Sequence, residues 1–184
     1  MILIWQMQLT LTLLLYRSKR RFIYNISGHA AKKHYTQPGG GVDFQCLPID
    51  PEFPQGATGG HTTHAYIYGV EYEHNSYFWG ATLNADVPCA VCSVTGRARQ
   101  LMIPAKLSCP QDWTYEYDGM LATDRAGHWG ATYICVDKAA EPAAGNDPHN
   151  QDGGLIYIVE ANCGALPCDP YTNGYEIACI VCTR

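Results

Sequence analysis

The sequence is poor in charge and lacks the patterns of several protein classes. Charged residues make up 16% of the 184 residues, below the share of about a quarter that is usual for a soluble domain. The 12 basic and 17 acidic residues give a net charge of −5, and the acidic ones form no tail, so nucleic acid is not expected as a partner. No stretch of helical length repeats apolar residues at i, i+3, i+4 and i+7, which argues against a helical fold.

The chain also lacks a long hydrophobic run. Residues 1–16 are mostly apolar and are followed by the basic run 17–21, whereas a transmembrane helix needs about 20 apolar residues. The segment has neither the basic start nor the small-residue cleavage site of a signal peptide. Residues 6–13 alternate between polar and apolar, as a strand does. We therefore expect residues 1–21 to be a leader that adds no essential core, and we do not expect a membrane protein.

Cysteine, by contrast, is abundant, with nine residues in the chain. This number exceeds ordinary cytosolic usage and favours a disulfide framework in a secreted, extracellular protein. The sequon at Asn25 is a possible glycosylation site in that compartment. Zinc is the alternative, because Cys89 and Cys92, like Cys179 and Cys182, form CxxC pairs. The 87 positions from Cys92 to Cys179 (179 − 92) exceed the roughly 15–20 of a zinc ribbon, which disfavours zinc.

The cysteines belong to an internal repeat of the sequence. Cys89 follows Cys46 by 43 positions, and Cys179 follows Cys135 by 44. Between these cysteines, two matching apolar runs each end in a glutamate that lies 25 positions after the first cysteine. The period is longer than that of common solenoid repeats. We interpret the pattern as a tandem duplication of a unit of roughly 80–90 residues.

Short apolar runs separated by loops rich in proline and glycine fill both copies, which predicts a mainly β fold with long loops held by disulfides. Residues 1–21 are the leader, residues 22–104 the first repeat subdomain and residues 105–184 the second. The predicted strands are residues 42–46, 65–72, 89–92, 99–103, 113–117, 131–136, 155–160 and 175–183.

The sequence contains no convincing catalytic or metal-binding pattern. Glu71 and Glu160 occupy equivalent places in the two copies, but a glycosidase would need them about 5–10 Å apart, and a structural role at the strand ends is favoured. His61 and His64 share a loop without a third metal ligand at a fixed spacing, so no metal or cofactor is expected. The glycines at 39–41 are not followed by a helix and do not form a phosphate loop. We expect no enzyme activity.

Several segments, in this order and spacing, carry a family resemblance: Gly39-Gly40-Gly41, Cys46-Leu47-Pro48, Tyr68 to Glu73, Val87 to Cys92, Leu101 to Lys106, Ser108-Cys109-Pro110, Cys135 to Lys138, and Leu166-Pro167-Cys168 through Cys179 to Thr183. In these segments the chain resembles the globular region of short-chain, C4-like (spongin-type) collagens of sponges and other invertebrates. That region is in turn similar to the non-collagenous C-terminal domain of type IV collagen, a mostly β tandem duplication whose chains assemble as trimers and hexamers. The present chain has no Gly-X-Y repeat, so the resemblance implies the globular module and an extracellular role but no triple helix.

The resemblance also implies how the cysteines pair. In the similar collagen domain the disulfides are nested. One bridge joins the earliest cysteine to the last cysteine, and another joins the second cysteine to the first cysteine of the CxxC pair. Carried over, this implies the pairs Cys46–Cys89, Cys135–Cys179 and Cys109–Cys182. Cys163 and Cys168 are only five apart and are absent from the first copy, so they most simply close their own loop. Because the count is odd, at least one thiol lacks an intrachain partner, and the implied pairing leaves Cys92 unpaired.

The sequence leaves two candidate functions. The expected one is a non-enzymatic, secreted structural module of the extracellular matrix that associates with itself or with matrix proteins and has no triple helix of its own. The alternative is a secreted lectin-like or defence recognition protein that binds a carbohydrate or microbial ligand. Trp79, Trp113 and Trp129 could stack on sugars, although such side chains more often fill a β core. An exposed concave aromatic patch would favour the alternative, and a large apolar face with edge strands would favour the matrix module.

Overall fold

The described part of the chain is built from strands. In the computed structural model the described residues are 2–3, 22–57, 59, 64–74, 83–146 and 149–184, with the backbone alone for 2–3 and 22–25. They form ten strands and no helix, which confirms the predicted mainly β class. The strands are β1 Ile2–Leu3, β2 Phe22–Lys32, β3 Gln45–Pro48, β4 Tyr68–Tyr72, β5 Pro88–Val94, β6 Gln100–Pro104, β7 Thr114–Thr123, β8 Ile134–Asp137, β9 Gly154–Ile158 and β10 Ala178–Thr183.

Two long strands, β2 and β7, organise the sheet in the same way. One edge of β2 pairs with β5 and then, at its C-terminal end, with β4, while the opposite edge pairs with β3. One edge of β7 pairs with β10 and then with β9, while its opposite edge pairs with β8. This correspondence agrees with the duplication suggested by the cysteine spacing, although the duplication itself remains an interpretation.

The two halves of the chain meet through a parallel pair and a shared core. Strands β4 and β9 lie parallel, with Val70 opposite Gly154 and Tyr72 opposite Ile156. The larger apolar cluster contains side chains from both halves, namely Ala30, Phe44, Val70, Tyr72, Ala85, Val87, Cys89, Met120, Ala122, Val136 and Ile156. A smaller cluster lies within the second half and contains Tyr117, Leu121, Cys135, Cys179 and Val181. Burial of apolar surface therefore holds the halves against each other.

Two short strands pair with strands outside the sequence segment to which each was assigned. Strand β6 belongs to residues 22–104, yet it pairs with β10 of the second half along its whole length. Strand β1 comes from the leader and pairs in parallel with β5 and antiparallel with β8. The predicted alternating segment 6–13 lies outside the described residues. Within the described residues, no helix could cross a membrane.

Two glycines allow neighbouring backbones to approach closely. A Cβ atom on Gly28 of β2 would lie 1.7 Å from the carbonyl oxygen of Leu47 in β3. A Cβ atom on Gly119 of β7 would lie 1.7 Å from the carbonyl oxygen of Val136 in β8. Because no side chain fits at such a distance, both positions require glycine for steric reasons.

We predict that Gly119→Ala destabilises the protein by about 3 kcal/mol or more, at or beyond the upper end of the usual cost of overpacking, because the clashing atom is backbone and cannot rotate away. Urea unfolding with the disulfides intact measures this free energy. Gly69→Ala is the matched control, since Gly69 lies in strand β4 with nothing within 4 Å of its Cβ position. Equal stability of the two variants would contradict the close approach of β7 and β8.

Candidate functional site

Four disulfides join the cysteines in the pairs that the resemblance and the short loop implied. They are Cys46–Cys89, Cys109–Cys182, Cys135–Cys179 and Cys163–Cys168, with Cα atoms 5.4 to 6.0 Å apart. These separations lie in the ordinary range for disulfides. The first bridge closes a loop within the first half, and the other three lie within the second half. None of them connects one half to the other.

Cys92 is the remaining thiol, and its surroundings make it unreactive. It lies in β5 with 9% of its surface exposed. Burial, reinforced by the negative charge of Glu116, raises the pKa of the Cys92 thiol to about 12. Glu116 is itself held by Thr183 and by an ion pair with Arg97 at 3.0 Å. Because the thiolate is the reactive form, Cys92 is not set up as a nucleophile.

The carboxylates of Glu71, Glu73 and Asp152 form a cluster that the sequence did not suggest. One oxygen from each lies within 4.8 Å of the others. Glu71 is 3% exposed and accepts hydrogen bonds from the backbone amides of Gln151 and Asp152, at 3.1 and 3.4 Å. Glu73 accepts a bond from Tyr157 through Oε2, while its Oε1 is buried without a partner.

Electrostatics in this cluster oppose full ionisation. Burial raises the pKa of Glu71, although the two backbone amides oppose the shift. Burial also raises the pKa of Glu73, and the negative charges of Asp152 and Glu71 add to the shift. Carboxylate oxygens are the ligands that hard cations such as Ca²⁺ prefer. Among the described residues, these three are the group with the spacing to hold one.

The candidate residues from the sequence are otherwise dispersed. Glu160 is exposed, unlike its counterpart Glu71. His64 is exposed, whereas His61 and Trp79 lie outside the described residues. Trp129 is 53% exposed.

Three more of these positions have no visible part in a site. Trp113 is half-buried, and the glycines at 39–41 lie in an exposed loop. Asn25 lies in β2 at an irregularity in its pairing with β5, and its side chain is not described.

A series of contacts between buried polar side chains begins at the ends of β2 and β7. Lys32 closes β2 and Asp124 follows β7, and the Lys32 ammonium donates a hydrogen bond to Oδ2 of Asp124. The two side chains are 0% and 2% exposed. Oδ1 of Asp124 lies 3.6 Å from Nδ1 of His128, whose side chain is 6% exposed. Nε of Arg125 donates a 2.9 Å hydrogen bond to Nε2 of His128.

These contacts define the state of the histidine ring. An arginine nitrogen can only donate, so Nε2 of His128 accepts and Nδ1 carries the proton of the neutral ring. Burial, together with the positive charge of Arg125, lowers the pKa of His128. The ring also contacts Tyr35 and Tyr157, with centroids 4.6 and 5.6 Å away. The neutral ring therefore presents an N–H group to the Asp124 carboxylate.

Large apolar side chains are exposed in β3, in the loops that precede and follow it, and in residues 66–67, which line a cavity together with Gln45 of β3. They include Val42, Leu47, Ile49, Phe53, Tyr66 and Ile67, which are between 41% and 78% exposed; we call them the β3 apolar group. Nearby, a cavity of about 280 Å³ is lined by Asp43, Gln45 and Tyr66 among others. In the described part of the chain, β3 pairs with β2 alone. Within the described residues, β3 therefore has one edge without a strand partner.

In comparisons with known proteins, no family model, curated protein or solved structure matched the chain. The resemblance to the collagen globular region therefore depends on the quoted segments alone.

We predict that Cys92 resists labelling in the folded protein. Without reductant, iodoacetamide should modify no cysteine under native conditions and one cysteine in denaturant, because burial suppresses the thiolate. Peptide mass mapping should place the label on Cys92. Labelling of Cys46 or Cys89 would show that the disulfide pairing is different.

We also predict a pH dependence from the carboxylate cluster. Because the pKa of Glu73 is raised on folding, its contribution to stability is fully present below the unfolded pKa and is lost as pH rises through the folded value. The Glu73→Gln variant lacks this pH-dependent contribution to stability. The stability of the variant relative to the wild type should therefore increase from pH 4 to pH 7, a range of about three units that covers the ordinary titration of glutamate. Thermal unfolding measures the difference. Glu52→Gln, in an exposed loop, is the control, and an identical pH profile for both variants would contradict the prediction.

Proposed function

We propose that the protein is a non-enzymatic, secreted structural module of the extracellular matrix that associates with itself without a triple helix. The observation that carries the proposal is the β3 apolar group together with the edge of β3 that has no strand partner among the described residues. Large exposed apolar patches mark interaction surfaces, and an open strand edge can pair with another chain. The four disulfides support an oxidising, extracellular location.

The proposed partner is a second copy of the chain, joined at the β3 apolar group. A strand edge with exposed apolar side chains in and next to the strand suits an isologous contact, in which both subunits use the same surface. Ile49 and Phe53 are the most exposed members, at 70% and 78%, so they gain the most from being covered.

A binding function is the second candidate, and the cavity beside Tyr66 favours it. Its volume of about 280 Å³ lies just below the range of about 300–1,000 Å³ typical of small-molecule sites. Asp43 and Gln45 in its lining are side chains of the kind that bind sugar hydroxyls. The small size makes this candidate the weaker of the two.

We expect light scattering of the folded chain at micromolar concentration to show a dimer or larger species. The double variant Ile49→Ser, Phe53→Ser should shift this species towards the monomer, because association would then bury less apolar surface. The matched control is Leu107→Ser, Tyr175→Ser, at positions 65% and 66% exposed in the second half. A wild-type monomer would contradict the proposal, and so would equal dissociation of both double variants.

A further inference from the structure

The Lys32–Asp124 pair has the features of a site for covalent modification. We infer that Lys32 and Asp124 join through an intramolecular amide bond between Nζ and the side-chain carbonyl carbon. The two groups are in hydrogen-bond contact although 92 positions separate them in the chain. A reaction between groups held in contact avoids most of the entropy cost of bringing two reactants together. The inference is independent of the proposed self-association.

Burial of Lys32 favours the neutral amine, which is the nucleophile. The cation–π contact of its ammonium with the Phe44 ring, 5.5 Å from the ring centre, opposes this effect. Its stem passes over Gly154, where a Cβ atom would lie 2.8 Å from Cγ of Lys32. Burial lowers the pKa of Lys32, opposed by its hydrogen bond to Asp124. Removal from water disfavours the charged ammonium relative to the neutral amine.

His128 supplies the third group that the reaction needs. Its Nδ1 lies 3.6 Å from Oδ1 of Asp124, and neither atom has a hydrogen-bond partner among the described residues. The bond from Arg125 to Nε2 holds the ring in the tautomer with the proton on Nδ1. In the addition step negative charge develops on Oδ1. A donor aimed at that oxygen stabilises the intermediate in the manner of an oxyanion hole. Such contacts are often long before the reaction and shorten in the transition state.

The reaction balances without an oxidant or a further reactant. A proton first moves from Nζ to Oδ2, which leaves a neutral amine and a carboxylic acid. The Nζ lone pair then attacks the carboxyl carbon, and the electrons of its double bond move onto Oδ1. A second proton passes from Nζ to Oδ2, the double bond to Oδ1 re-forms, and the bond to Oδ2 breaks. One water molecule leaves, and Nζ keeps one hydrogen in the amide.

A second lysine–aspartate pair on the same protein provides a comparison. Lys138 donates a 2.8 Å hydrogen bond to Asp118, but its side chain is 64% exposed. Water stabilises both charges there, so the amine stays protonated and cannot attack. We expect no bond at this pair.

The proposed bond would have a distinct place in the architecture. Lys32 belongs to the first half and Asp124 to the second, whereas each disulfide stays within one half. The amide would therefore be the covalent connection between the ends of β2 and β7, and unlike a disulfide it would survive reduction.

The mass of the chain tests the inference directly. The full-length protein, oxidatively refolded and then reduced in denaturant, should be one water molecule lighter than its sequence requires. Trypsin should fail to cut after Lys32, and the digest should contain residues 22–33 joined to residues 107–125. A wild-type chain of full mass would overturn the inference, as would loss of water from a single linear peptide. This measurement does not require any variant to fold.

Variants then assign the atoms. Lys32→Arg and Asp124→Ala should each restore the full mass, whereas the control variants Lys138→Arg and Asp118→Ala should still lack one water. Persistence of the joined peptides in Lys32→Arg would overturn the assignment. His128→Ala should slow the loss of water after refolding by about tenfold or more, as removal of an oxyanion donor does. His29→Ala, exposed in β2, should leave the rate unchanged, and an equal rate for both histidine variants would overturn the role of His128.

Discussion

A lysine buried inside a β core requires a polar partner, and this requirement ties the two halves of the protein together. Lys32 is completely buried, and its ammonium donates a hydrogen bond to Asp124, which lies just after the end of β7. Removing one member of such a pair leaves an isolated buried charge, which typically costs about 3–5 kcal/mol. The C-terminal ends of β2 and β7 must therefore stay close to each other. The parallel pairing of β4 with β9 places the rest of the shared core around that contact.

The disulfides perform a different task from this contact. Three of them close loops with sequence separations of 43, 73 and 44, each contributing about 4 kcal/mol in the chain-entropy description, whose mechanism is disputed. All three lie within a half, so they reduce the freedom of each unfolded half without specifying how the halves dock. Docking depends on apolar burial, the parallel pairing of β4 with β9, the pairing of β6 with β10 and the Lys32–Asp124 contact.

Much of the fold was predictable because similar signals occur twice along the sequence. The cysteine spacing and the apolar runs located most strands, including β4, β5, β9 and β10. Strand β2 escaped prediction because Gly28, Ala30 and Ala31 weaken its β propensity. Those small residues are there for a tertiary reason, since the Leu47 carbonyl occupies the space beside Gly28. The pairing of β6 with the second half was also missed, because a repeat boundary drawn from sequence carries no information on which edge a strand joins.

The polar groups were the least predictable part, and the reason is visible in Glu71 and Glu160. Each of these glutamates lies 25 positions after a cysteine, yet Glu71 is buried and bound by backbone amides of the other half, whereas Glu160 is exposed. A repeated sequence can encode a repeated backbone, but the junction gives each copy a different neighbour. Buried polar groups must find hydrogen-bond partners, and at a junction those partners come from distant parts of the chain. The chemistry of Lys32 and Asp124 therefore arises from the docking of the halves, and spacing within either copy does not reveal it.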